Sequence, residues 1–229
     1  MNKIFIILPT LLLNLGFASA QESQLAHNPV SVDFSTQSSF AFRTKSEDVE
    51  ILGDPYLGNN LSSYTLKGVD TSDVNFLRYN YFTDELEFMK DDAVYNLMHY
   101  ENAIFEFPKL NKKFVYVSKY EYDKKVKSGY LEILSNGKEI ALLKKTPVNL
   151  NEKLVKADAY DTGTKVKEYK ASKPVYFIKQ GNDVREIPKK KDEFINLFAD
   201  QNTRNFIKSD KISSTSESDL LKLINYINK

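Results

Sequence analysis

The stretch Gly129-Tyr130-Leu131-Glu132-Ile133-Leu134-Ser135-Asn136-Gly137-Lys138-Glu139-Ile140-Ala141-Leu142-Leu143-Lys144-Lys145 decides the fold class. Two short apolar-rich runs, 130–134 and 139–143, flank Asn136-Gly137. Asn-Gly is the strongest short-range hairpin signal, because a type I′ turn needs positive φ at both central residues. A two-residue turn predicts Ile133 opposite Ile140 and Leu131 opposite Leu142 on one side, with Tyr130 opposite Leu143 on the other. The segment therefore reads as an antiparallel hairpin.

The same pattern continues on both sides. Upstream, residues 74–82 place Leu77, Tyr79 and Tyr81 on one pleat face and Val74, Phe76, Arg78, Asn80 and Phe82 on the other. Thr83-Asp84 and Lys90-Asp91-Asp92 predict turns into strands at 85–89 and 93–98. Gly53-Asp54-Pro55-Tyr56 and Gly58-Asn59-Asn60 predict earlier turns. Downstream, strands are expected at 175–179 and 184–187. A tip at Asn182-Asp183 would pair Lys179 with Glu186 and Ile178 with Ile187. Beyond Pro188 the period changes. Residues 192–201 set Phe194, Ile195, Leu197 and Phe198 on one helical face, and Phe206-Ile207 suggest a short helix. Ser216-Glu217-Ser218-Asp219 resembles a capping box that opens a helix bearing Leu220, Leu221, Leu223, Ile224 and Ile227. The predicted fold is mainly β with C-terminal α: a curved antiparallel sheet, meander or incomplete β-barrel covered by two or three C-terminal helices.

The chain has 229 residues, and its first twenty read as a signal peptide. Lys3 supplies the positive end, residues 4–17 the apolar region, and Ala18-Ser19-Ala20 a small-residue cleavage site. This run is shorter than the roughly 20 apolar residues that a spanning helix requires. Residues 21–50 read as a polar, partly ordered segment in which Val30, Val32, Phe34, Phe40 and Phe42 suggest an edge strand. Residues 51–188 read as the antiparallel β domain and 189–229 as the helical segment packed on it. No second long apolar run follows, so no transmembrane helix is expected in the mature chain. The absence of cysteine removes disulfides, thiolate chemistry, Cys-ligated zinc and a lipid-modified N-terminus together. The expected location is the periplasm or the outer-membrane periphery.

Beyond Lys3, the chain balances 31 basic against 31 acidic groups, which argues against nucleic acid as a partner. Locally the balance is uneven. Residues 22–106 carry 15 acidic and 5 basic groups, and residues 107–191 carry 10 acidic and 21 basic. Either the two parts neutralise each other in the fold, or the basic part presents a face to an anionic partner.

The most suggestive stripe is Phe114, Tyr116, Ser118, Tyr120, Tyr122, whose alternation aims four rings to one side of an extended strand. Lys113, Val115, Val117, Lys119, Glu121 and Asp123 alternate with it, and Lys124-Lys125-Val126-Lys127 ends the run. Rings beside lysines suit a sugar, lipid or peptide groove, and equally the inner face of a half-barrel under a helix. Candidate binding residues are Tyr116, Lys119, Tyr120, Tyr122, Lys124, Lys125 and Lys127, with Arg78, Tyr79 and Tyr81. Catalytic machinery is sparse. His27 and His99 are the histidines, and no Gly-x-Ser-x-Gly elbow is present. Asp84, Glu85 and Glu87, with Asp91 and Asp92 nearby, follow no calcium-loop spacing and read as charged turns. Lys189-Lys190-Lys191 reads as a solubilising junction. No catalytic residue, metal ligand or cofactor is expected.

Gly53-Asp54-Pro55-Tyr56, the run from Phe76 to Phe88, the run from Gly129 to Leu134 and the closing Asp219-Leu220-Leu221-Lys222-Leu223-Ile224-Asn225-Tyr226 resemble a group of exported β-rich proteins common in Bacteroidota. That resemblance implies compartment and β-rich fold and brings no catalytic residues. The expected function is a non-enzymatic binding or interaction protein, such as an accessory of an envelope complex. Its expected partner is an envelope protein or an anionic lipid or glycan surface. The alternatives are a carrier holding a lipid in a half-barrel lined by Tyr116, Tyr120 and Tyr122, and a hydrolase using Asp84, Glu85 and Glu87.

Overall fold

A computed structural model describes residues 50–58, 61–67, 74–156, 158 and 162–229. The predicted leader and the polar segment up to residue 49, His27 included, lie outside the described residues, as does Asn59-Asn60.

The strands are β1 (Ile51–Leu52), β2 (Ser62–Ser63), β3 (Thr65–Lys67), β4 (Phe76–Asn80), β5 (Glu85–Lys90), β6 (Ala93–Asn96) and β7 (Ile104–Phe107). They continue with β8 (Lys112–Tyr122), β9 (Lys125–Asn136), β10 (Ala141–Lys145), β11 (Val148–Val155), β12 (Thr164–Ala171), β13 (Val175–Gln180) and β14 (Asp183–Glu186). Seven of them, in the order β14-β13-β10-β9-β8-β7-β3, form one antiparallel sheet that curls into a half-barrel. β14 packs against β8 across the curl, and Asp123 N–H donates to Glu186 Oε2 at 3.1 Å. The expected curved sheet under helices is the architecture observed. Two further sheets accompany it. One has the order β2-β4-β5-β6, and the other, β1-β12-β11, contains a parallel pair, β1 with β12.

Alternation along the strands gives the half-barrel two apolar faces. On the inner face Val115, Val117, Leu131, Ala141, Leu143, Phe177 and Val184 pack together. On the outer face, Leu142, Tyr176 and Ile178 meet the helices, while Phe105, Phe107, Phe114 and Tyr130 meet Leu77, Tyr79, Leu86 and Phe88 of the four-stranded sheet. The helices are α1 (Lys191–Asn196), α2 (Gln201–Ser209) and α3 (Glu217–Ile227). Their Phe194, Leu220, Leu223 and Ile224 are almost fully buried. Each such side chain stabilises the fold by about 1.5–3 kcal/mol.

The helix expected across 192–201 ends early. The Asp200 carboxylate accepts from Thr203 N–H at 2.7 Å and so caps a new helix, α2. Ser216 caps α3 as expected, accepting from Asp219 N–H at 3.4 Å. The Asp219 carboxylate turns instead to Ser213 N–H at 3.1 Å, so the box is not reciprocal.

Both predicted hairpins form with altered registers. In the first, Asn136 pairs with Ala141 and Leu142 with Ser135. A bulge at Leu134 then sets Leu143 opposite Ile133 and Lys144 opposite Glu132. The reason lies 88 residues away in sequence. Asn228, at the end of α3, accepts from Glu139 N–H at 3.0 Å and Ile140 N–H at 3.3 Å and donates to Ile140 C=O at 2.9 Å. The helix thereby holds residues 137–140 as a longer loop. In the second, Gln180 pairs with Asp183 and Lys179 with Val184, so the tip is Gly181-Asn182. Gly181 supplies positive φ, +60°, at the first central position, as a type II′ turn requires.

The aromatic stripe is also corrected. On β8 two residues, Ser118 and Lys119, face a single residue of β9 between the pairs Val117–Gly129 and Tyr120–Lys127. Such a bulge reverses the facing of everything beyond it. Phe114 and Tyr116 pack on the outer face with Tyr79 and Tyr130, whereas Tyr120 and Tyr122 pack on the inner face against Phe177.

Candidate functional site

Of the predicted site residues, Arg78, Tyr79 and Tyr81 belong to a polar cluster that fastens the β4–β5 hairpin to the half-barrel. Asn80 starts it by accepting from Phe82 and Thr83 N–H groups, which folds the turn and leaves Asp84 at φ +61°. The Asp84 carboxylate then receives the Tyr79 hydroxyl, the Lys145 ammonium and, at 3.3 Å, Tyr130 N–H. Gly129 makes room for it, since a Cβ there would lie 1.9 Å from Asp84 Oδ2. Lys145 also donates to Tyr130 C=O at 3.1 Å. Burial pulls the Lys145 ammonium down from its usual range, against the opposing pull of Asp84. Burial pushes the Tyr79 and Tyr81 hydroxyls up. Arg78 holds Glu87 through Nε at 3.0 Å and Nη2 at 2.9 Å, and its guanidinium lies 3.7 Å from the Tyr56 ring centre. These three predicted residues are thus occupied within the fold. Asp84, expected in a charged turn or a hydrolase site, instead anchors this cluster. Lys145 is not among the residues singled out in the sequence, although it shares the parity of inward Ala141 and Leu143.

The other predicted residues divide along β8 and β9. Tyr116 stacks on His99 at 4.3 Å, and Tyr120 lies buried against Phe177. The end of the β8–β9 hairpin carries the rest. Asp123 and Lys124 form its tip with φ +52° and +57°, a type I′ pair without glycine. Lys119, Lys124, Lys125 and Lys127 are exposed there. Lys119, Lys124 and Lys125 make no ion pair among the described residues, and Lys127 Nζ sits 4.5 Å above the Tyr122 ring. Val126 between them is 67% exposed. Lys112 and Lys113 do not join this patch. They lie at the other end of β8, roughly 33 Å away at strand rise, and pair with Glu132 and Glu106.

Few ion pairs join the acidic part of the sequence to the basic part: Lys113–Glu106 and Lys145–Asp84 do so among the described residues. The basic part instead pairs within itself, as in Lys112–Glu132–Lys144 and Lys153–Glu168, and α3 adds Glu217 to Lys144 at 3.1 Å. Burial works against the Lys144 charge, but Glu132 and Glu217 together leave its ammonium held above the usual range.

The three carboxylates weighed for hydrolysis have separate partners: Asp84 with Lys145, Glu87 with Arg78, and Glu85 with His99 Nε2 at 2.8 Å. Burial raises the Glu85 carboxyl, partly offset by His99. An open cleft of about 630 Å³ on β11–β12 and another of about 530 Å³ between α2 and α3 include none of the three. Among the described residues no group of three His, Asp or Glu side chains is placed to hold a metal ion, and no helix is long and apolar enough to cross a membrane. By its geometry this is a half-barrel carrying a basic hairpin. No family model matches the chain, and the comparisons with curated proteins and with solved structures found no match.

Proposed function

We propose that this protein is an exported, non-enzymatic binding protein of the cell envelope that engages an anionic surface, lipid headgroups or acidic glycan, through the end of its β8–β9 hairpin. The observation that carries the reading is local. Where Lys112, Lys113, Lys144 and Lys145 are paired with carboxylates, the lysines of the hairpin end are not. Exposed ammonium groups beside a half-buried Tyr122 and an exposed Val126 suit an interface with an anionic outer layer and an apolar layer beneath.

The carrier alternative needs Tyr116, Tyr120 and Tyr122 around one cavity, whereas the bulge divides them between two packed faces. The hydrolase alternative needs two carboxyl groups sharing one cleft. Asp84, Glu85 and Glu87 are each engaged with a separate partner, Lys145, His99 and Arg78, so the binding reading is favoured.

Sedimentation with vesicles of anionic lipid, with zwitterionic vesicles and soluble acidic polysaccharide as the other arms, tests the proposal. Binding to the anionic arms is expected, weakening as salt shortens the Debye length from about 10 Å at 0.1 M to about 3 Å at 1 M. Lys124→Gln, Lys125→Gln and Lys127→Gln together should abolish most of it while leaving stability within about 0.5 kcal/mol per site. Binding indifferent to both salt and these substitutions would overturn the proposal.

A further inference from the structure

β11 is bonded to β12 along its whole length, from Val148–Ala171 to Val155–Thr164, and nothing among the described residues pairs with its other side. At 8 residues it is the longest such edge; β14 and β6 have 4 each, and β3 has 3. Its last two residues, Leu154 and Val155, are 51% and 41% exposed. An edge of this kind is a template for another strand.

The hydrogen bonds within this sheet determine which residues aim outward. Lys167 N–H donates to Glu50 C=O on the β1 side, so Lys167 does not bond β11. Its partner Glu152 therefore points N–H and C=O away from β12. Ser172 N–H donates to Pro147 C=O, which fixes the odd residues as the inward set. Val148, Leu150, Glu152 and Leu154 present donors and acceptors at the open edge.

We propose that this edge is the interface of a two-fold dimer, in which β11 pairs antiparallel with β11 of a second copy. A two-fold axis perpendicular to the sheet keeps each residue on its own face, so it can match only residues of like parity. With Leu154 on the axis, Leu154 meets Leu154 of the second copy in a doubly hydrogen-bonded pair. Glu152 then meets Lys156 of the second copy, twice over by symmetry, and Lys153 lays its stem against Val155. Registers two and four residues away in the direction of greater overlap set Lys153 against Lys153 and Glu152 against Glu152. Like charges directly opposite destabilise a sheet. With Asn151 on the axis no like charges meet, but Glu152 then faces Leu150 and Lys153 faces Asn149, so the first register alone sets Glu152 opposite a cation. Among the described residues Glu152 makes an ion pair with Lys165 alone, at 3.8 Å, with both side chains largely exposed. That contact is weak and leaves Glu152 available.

The inference is independent of the hairpin reading. Its test is sedimentation velocity of the full chain over a concentration series, with circular dichroism confirming that each variant is folded. Wild type should dimerise as concentration rises. Glu152→Lys and Lys156→Glu, taken singly, should each weaken the dimer by about tenfold by turning two attractions into repulsions. The exchanged variant carrying both should return to within about threefold of wild type, since both pairs are then restored. A wild type that stays monomeric, a dimer untouched by either single change, or an exchange that restores nothing would overturn the proposal.

Discussion

Asp84 shows how one residue joins two layers of the fold. Aspartate tolerates the left-handed conformation the turn imposes, and its carboxylate is short enough to reach Tyr79, Tyr130 N–H and Lys145 together. Lys145 is 9% exposed, so its ammonium depends on that carboxylate. Replacing Asp84 by Asn keeps the backbone conformation and an acceptor but strands the buried ammonium. Breaking a buried pair from one side costs about 3–5 kcal/mol. Urea unfolding of Asp84→Asn should show a loss of that order. Lys145→Met in the same background should return a substantial part, because a buried unpaired charge has been replaced by a hydrophobe of similar length. A loss below about 0.5 kcal/mol, the size of an ordinary surface change, would mean that water already compensates Lys145.

At the scale of elements, the loop joining β9 to β10 is shaped from outside. The side chain of Asn228 makes three hydrogen bonds to its backbone, and a Cβ on Gly137 would lie 2.0 Å from Asn228 Nδ2. Asn228→Ala should cost about 1–3 kcal/mol through the unsatisfied backbone groups. Gly137→Ala should cost a comparable amount, and less in an Asn228→Gly background where the clash is gone, as denaturant midpoints of the four proteins would report. Equal cost in both backgrounds would rule the clamp out. These contacts also mark where the sequence stops being legible. Alternation identifies β4, β5, β9, β10 and β13, and the apolar spacing with Ser216 identifies α3, because each is decided by residues within about ten positions. Register is not so decided. The choice between a two-residue and a longer loop at Asn136-Gly137 depends on Asn228. The bulge at Ser118-Lys119, which sends Tyr120 and Tyr122 inward, leaves only a slight local signature, two consecutive polar residues that break the aromatic and the valine alternation together. The basic hairpin end is legible as a cluster of lysines, but its separation from Lys112 and Lys113 follows only from the length of β8.

For the whole molecule, tyrosine burial and charge segregation act in different ranges of pH. Near neutrality the ion pairs that the basic part makes lie mostly within it, as Lys112–Glu132–Lys144 and Lys153–Glu168 do. At high pH the buried phenols govern. Burial raises the hydroxyls of Tyr79, Tyr81, Tyr120 and Tyr130 above the ordinary value of 10.0, with neighbouring carboxylates such as Asp84 adding to the effect. Because the folded values lie above the unfolded ones, the folded chain binds more protons once pH passes about 10. The stability these groups contribute is fully present below that pH and is lost as pH rises through the folded values, by up to about 1.4 kcal/mol per pH unit for each tyrosine. Lys145 opposes this, since its lowered value makes the unfolded chain the better proton binder below 10.5, but it is one group against four. Alkaline titration should therefore show the exposed tyrosines ionising first and without structural change. The buried set should ionise only in a second, cooperative step coincident with loss of the circular dichroism signal. Tyr130 offers the sharpest control, because its hydroxyl is buried with no hydrogen-bond partner among the described residues. Tyr130→Phe removes one buried phenol without breaking a bond, so the alkaline midpoint should move upward while stability at neutral pH is kept or improved. If all the tyrosines ionise near pH 10 with the fold intact, the hydroxyls are reached by water and the aromatic layer between the sheets is not closed.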